Sequence, residues 1–252
     1  MRVLPRPNIF FFSVLVCFIA GAFVLQLLYQ ALGILPPYWL RSVLHYGLWF
    51  GLPILWWMRR LGLHRADVGF CRPKRALLSL GIATVTAFLI QPPLLLVSAI
   101  SEMLFPNPVT AAMDRILADS LPLALLSTAL LPAFFEEWAC RGVYLTESRS
   151  LGMWPAVCLS ALVFGILHMN LQQLPYAFFF GLAAAILTWC SGSIWPGILM
   201  HFLINASQVL MAKYGIVLLA SWNTLLPAAM AGALLSFLLL RLLYNTLSSD
   251  PA

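Results

Sequence analysis

Charge is scarce in this chain. Of its 252 residues, 9% are Asp, Glu, Lys or Arg, against about 25% in soluble globular domains. That deficit excludes an ordinary cytosolic enzyme, a disordered tail and a nucleic-acid-binding module, all of which need charge to be solvated or to meet a partner. Cysteine is sparse as well. Cys17, Cys71, Cys140, Cys158 and Cys190 form no Cys-x-x-Cys pair, so neither a disulfide framework nor a cysteine metal site is indicated. No internal repeat is visible, which weighs against a repeat-built transporter. What is abundant is apolar residues, at 62% with a mean hydropathy of +0.95. The composition is that of an integral membrane protein.

A spanning helix takes about 20 apolar residues, so eight spans use about 160 and leave short loops. The apolar runs predict an all-α polytopic bundle of about eight transmembrane helices, forming a single membrane domain over 1–252. The expected spans are 9–32, 40–58, 76–104, 121–145, 155–169, 175–190, 196–213 and 223–244. The Ala20-Gly21-Ala22 stretch faintly resembles a signal-peptidase site, but the apolar run continues past it and reads as a retained helix. Pro92-Pro93 predicts a kink in the third span. Arg59, Arg60, Arg65, Arg72, Lys74 and Arg75 are opposed only by Asp67, which places that loop in the cytoplasm. Eight spans then put both termini there, together with Arg2, Arg6, Arg149 and Arg241. Lys213 and Arg115 are the basic residues expected on the other side. The loop 105–120, with Asp114, Arg115 and Asp119, is expected there too.

Ionisable residues inside a membrane helix are costly and mark functional sites. Two of the eight acidic residues are adjacent in the fourth span, Glu136 and Glu137. Glu137 and Arg141, at i and i+4, share a helix face and can pair. Glu136 is rotated by about 100°, so the two carboxylates meet different environments, and Glu136 is placed to exchange protons as a general base. His168 in the fifth span has Phe164 one turn before it as an apolar wall. His201 and Asn205, again at i and i+4, present an imidazole and an amide to one spot. A carboxylate, two imidazoles and an amide suffice to activate a water and to stabilise an oxyanion. His45 and His64, near membrane boundaries without polar companions, receive no chemistry.

These residues resemble the CPBP family of intramembrane proteases, the CAAX protease and bacteriocin-processing or Abi family. Its motifs are matched in order and spacing by Glu136-Glu137-x-x-x-Arg141, Phe164-x-x-x-His168 and His201-x-x-x-Asn205, in a motif-bearing core of about 120–210. The resemblance implies hydrolysis of a peptide bond within the membrane. Glu136 would be the general base, His168 would hold or activate the water, and His201 and Asn205 would stabilise the oxyanion. Glu137 and Arg141 would organise the site, with Phe164 in support. The implied partners are the lipid bilayer and a membrane-associated protein or peptide, lipidated or carrying a C-terminal sorting signal. The short loops are similar to those of bacterial members, and the expected location is a bacterial inner membrane.

Metal use stays open between two forms. A zinc site on Glu136, His168 and His201 with an open water position is one. The spacing lacks the His-Glu-x-x-His helix of zinc proteases, and the metal-free, glutamate-dependent form without a cofactor is favoured. Two other functions compete with the protease: a non-proteolytic membrane immunity or binding protein, and a proton-coupled transporter built on the same buried groups. The depth of Glu136 suggests a site opening toward the cytoplasm.

Overall fold

A computed structural model describes residues 5–107, 118–219 and 221–248. Arg2, Asp114 and Arg115 lie outside the described residues. The described residues form helices and connecting turns, with no strand among them. This is the expected solution for an apolar chain, since a helix satisfies its own backbone polar groups where water cannot.

The helices are α1, Pro5–Leu32; α2, 38–61; α3, Ala76–Leu89; α4, Gln91–Glu102; α5, Leu121–Glu147; α6, Met153–Leu167; α7, Leu174–Ser191; α8, Trp195–Lys213; and α9, Trp222–Ser248. They follow the eight predicted apolar segments, the third being divided into α3 and α4. Among the described residues, α1, α5, α7 and α9 are long and apolar enough to cross a membrane, and the bent pair α3–α4 makes a fifth candidate. The outward faces of α1 and α9 are rich in exposed Phe, Leu, Ile and Val, including Phe12, Phe23, Leu234 and Phe237. The protein is an integral membrane protein.

Proline shapes these helices. The predicted kink is present, with α3 and α4 meeting at 41° just before Pro92-Pro93. Without N–H groups these prolines leave carbonyls of the preceding turn unpaired. The bend brings Gln91 into play, whose side-chain amide donates to the Ala87 carbonyl at 3.0 Å. Two wide, π-type turns also run into prolines. His45–Gly51 in α2 precedes Pro53, and Leu126–Leu130 in α5 precedes Pro132. A third, Trp138–Tyr144, continues α5 past the carboxylates. Such bulges concentrate at functional sites.

The two ends of the bundle differ. At one end the basic loop docks onto the α7–α8 turn. Ile194 N–H donates to the Gly69 carbonyl at 3.0 Å and Lys74 N–H to the Ser191 carbonyl at 2.9 Å. The Ser193 hydroxyl donates to the Cys71 carbonyl at 2.7 Å. Gly69 has φ +81°, and a Cβ there would meet Ile194 Cγ2 at 2.9 Å, so glycine is required by both conformation and space. At the other end Lys213 Nζ donates to the Asp119 carbonyl at 3.0 Å, and Trp39 N–H donates to the Asp119 carboxylate at 3.3 Å. Arg41, beside Trp39, joins Lys213 at this end and corrects the expectation that Lys213 and Arg115 are the basic residues there.

α6 and α7 pack closely because Gly181 presents no side chain. A Cβ on Gly181 would lie 2.9 Å from Ala161 Cα, a backbone atom that cannot yield. Gly181→Val should therefore cost about 1–3 kcal/mol through overpacking, whereas Gly81→Val, with open space around it, costs far less. Thermal unfolding of the two purified variants in detergent checks this difference.

Candidate active site

Each singled-out side chain is placed by a helix whose local chemistry explains its position. The two carboxylates end the regular turns of Leu131–Glu137. Glu137 is fully buried, and its Oε1 accepts Arg141 Nη1 at 2.8 Å. The predicted i, i+4 pair is thus formed. A buried ion pair survives in apolar surroundings only when its remaining hydrogen-bonding capacity is met. Much of that capacity is met by neighbouring helices. Arg141 Nη2 donates to the Gly181 carbonyl at 3.1 Å, and the guanidinium lies over the Phe164 ring at 4.3 Å. His201 Nδ1 lies 3.1 Å from Glu137 Oε1. A carboxylate only accepts, so Nδ1 carries the hydrogen. Gly197 supplies the room, since a Cβ there would come within 3.0 Å of Glu137 Oε2.

Glu136 faces elsewhere, as its rotation from Glu137 requires. Its Oε1 accepts the Tyr46 hydroxyl at 2.7 Å. Tyr46 arrives on the wide turn of α2, where its ring stacks on Phe135 at 5.9 Å. Gly51 permits that approach, for a Cβ there would lie 2.8 Å from Phe135 Cε1. Sequence reasoning missed Tyr46. No local pattern marks it, because its partner is 90 positions away.

His168 caps the end of α6. Its Nδ1 lies 2.9 Å from the Phe164 carbonyl, which only accepts, so this imidazole also carries hydrogen at Nδ1 and leaves Nε2 bare. Phe164 packs edge-on against both His168 and His201, at 4.9 and 5.6 Å. The predicted apolar wall is therefore shared by both imidazoles. Asn205 is held by a proline effect. Pro132 has no N–H to offer the Thr128 carbonyl four residues earlier, and Asn205 Nδ2 donates to that carbonyl at 3.2 Å. This leaves the second amide hydrogen of Asn205 for another acceptor.

Glu136, His168, His201 and Asn205 line one cavity of about 920 Å³, together with Tyr46 and Phe164. Glu137 and Arg141 sit behind it, sealed among helices. From Glu136 the lining extends to Gln172 and Gln173 in the α6–α7 connection, to Gln208 and Met211 on α8, and to the segment 216–219. These elements are at the end of the bundle away from the basic loop, which corrects the expectation of a site opening toward the side of that loop. Among the described residues, no three His, Cys, Asp or Glu side chains are placed as a metal-binding group.

The arrangement makes the Glu137–Arg141 pair a structural hinge pin of the site. Arg141→Met should cost about 3–5 kcal/mol, the penalty of stranding a buried carboxylate. Glu137→Leu combined with Arg141→Met should recover most of that loss. Thermal unfolding of the two purified variants and the wild type provides the check.

Comparison with known proteins adds one finding. The family model described as "Type II CAAX prenyl endopeptidase Rce1-like" matches residues 118–207. No curated protein and no solved structure matches the chain. The matched segment runs from the start of α5 to Ser207 and contains Glu136, Glu137, Arg141, Phe164, His168, His201 and Asn205. Tyr46 lies outside it. Over residues 118–207 this chain therefore carries a domain of the Rce1-like type II CAAX prenyl endopeptidase family, the CPBP family.

Proposed function

We propose that the protein is an intramembrane endopeptidase that cleaves a membrane-associated protein or peptide with a water activated by Glu136. The observation that carries the reading is the convergence of Glu136, His168, His201 and Asn205 on one cavity, within a segment matched by a peptidase family. In this reading eight helical spans cross a bacterial inner membrane with both termini in the cytoplasm.

Glu136 accepts a proton from the water, and the resulting hydroxyl oxygen attacks the scissile carbonyl carbon. The Tyr46 hydroxyl occupies Oε1 and so presents the other carboxylate oxygen to the water. His168 accepts a hydrogen bond at Nε2 and fixes the water from a second side. The oxyanion of the tetrahedral intermediate receives the free amide hydrogen of Asn205 and a hydrogen from His201 Nε2. Since His201 carries hydrogen at Nδ1 toward Glu137, it donates from Nε2 only as the imidazolium, which keeps both hydrogens through the cycle and has its charge balanced by the Glu137 carboxylate. Arg141 holds Glu137 in place. Collapse of the intermediate breaks the C–N bond, and Glu136 returns its proton to the leaving amine. The reading is metal-free, and activity retained in the presence of a chelator is its expectation.

Comparison of peptide termini in membranes tests the reading. Cells with the wild type should show new termini that are absent with Glu136→Gln, His168→Ala or His201→Ala at equal abundance. Identical termini with folded Glu136→Gln overturn it.

Tyr46→Phe isolates one hydrogen bond. It should lower kcat by about 10-fold, near 1.4 kcal/mol for a charge-assisted bond, with unchanged protein abundance. Turnover of a cleaved peptide by the purified variant measures it.

A further inference from the structure

We infer that the cavity admits its occupant from the membrane face opposite the basic loop, and that its wall is matched to an extended, uncharged peptide segment. The inference deepens the endopeptidase reading and rests on it for the occupant being a peptide.

The direction follows from the helices that join the two ends. Gln172 and Gln173 line the cavity and directly precede α7. Ser191, its last residue, is bonded to Lys74 of the basic loop. The 18 residues of α7 separate these ends by about 27 Å. α8 has the same polarity: it starts at the docked turn, and the cavity wall continues along it from His201 to Met211 and onward to 216–219. The basic end is packed shut. Phe70 of the basic loop lies against Phe134, Trp138 and Trp195 at 5.7, 5.5 and 5.8 Å, and Val68 and Ile194 are fully buried. The positive charge of this end places it in the cytoplasm. The cavity therefore reaches the non-cytoplasmic face.

The lining supports the class of occupant. Gln91, Ser98, Gln172, Gln173 and Gln208 line the cavity between Glu136 and its far end. Among the described residues no Lys or Arg lines it, and Glu136 is its one carboxylate. Gln172 is 1% exposed. Its Nε2 is spent on the Ser98 hydroxyl at 2.9 Å, while its Oε1 has no partner among the described residues. The Ser98 bond fixes the buried Gln172 side chain in the wall, while the half-buried Gln173 is more open to the cavity. Carboxamides donate and accept as peptide groups do, and offer no counter-charge to a charged terminus.

Two measurements test the inference. In the first, Gln173→Cys and Arg72→Cys variants of the full chain are treated with a membrane-impermeant maleimide, and labelled positions are mapped by mass spectrometry. Intact cells should label Gln173→Cys and spare Arg72→Cys, and inverted vesicles should reverse the pattern. Leu218→Cys, 61% exposed in the wild type, gives the same comparison if Gln173→Cys reacts from neither side. Labelling of the cavity positions only in inverted vesicles overturns the inference. In the second, single-span test proteins carry one neutral extended segment next to either membrane face. Glu136-dependent cleavage should occur for the non-cytoplasmic placement, and one Asp or Lys within the segment should lower it by more than ~10-fold. Cleavage of the cytoplasmic placement overturns the inference. Labelling as expected with no Glu136-dependent cleavage of any membrane protein strikes the endopeptidase reading and leaves the access route standing.

Discussion

The site depends on one buried ion pair. Glu137 and Arg141 are 0% and 1% exposed, so contacts from other helices must offset the cost of desolvating the pair. Those contacts come from the Gly181 carbonyl of α7, the Phe164 ring of α6 and the His201 imidazole of α8. Four helices are thereby tied to one charge pair. Its neighbours are chosen by space as much as by charge. Gly197 leaves room for the carboxylate, and Gly181 brings its backbone within reach of the guanidinium. His201 gains a fixed ring orientation from the same contact, so a stability device also orients a group of the cavity wall.

Proline supplies the second organising constraint. In an apolar helix every missing N–H exposes a carbonyl that must find another donor. Pro132 exposes Thr128, which Asn205 answers. The wide turn before Pro53 carries Tyr46 to Glu136. These defects are where helices trade hydrogen bonds with each other, and they surround the cavity. The segment matched by the family, 118–207, holds the carboxylates, imidazoles and amide, but α2 and α4 complete the walls through Tyr46, Gln91 and Ser98.

The polarity of the bundle follows from the same economy. Polar backbone in the basic loop is satisfied by docking on the α7–α8 turn, which closes that end with hydrogen bonds and aromatic packing. The opposite end keeps its carboxamides on the cavity wall. The basic cluster and the closure thus sit at one end, and a cavity lined by neutral polar groups extends toward the other.

Sequence by itself determined the helical membrane class, the kink at Pro92-Pro93, the Glu137–Arg141 pair and the identity of the motif residues. Each is set by local spacing: apolar run length, missing N–H groups, and the 3.6-residue turn that puts i and i+4 on one face. Tertiary structure alone decided that His201 contacts Glu137 rather than Glu136, that Tyr46 is the hydrogen-bond partner of Glu136, and toward which end the cavity extends. Those outcomes depend on helix rotation and on close approach at Gly51, Gly181 and Gly197. Such contacts join residues far apart in the chain, where periodicity carries no information about which faces meet.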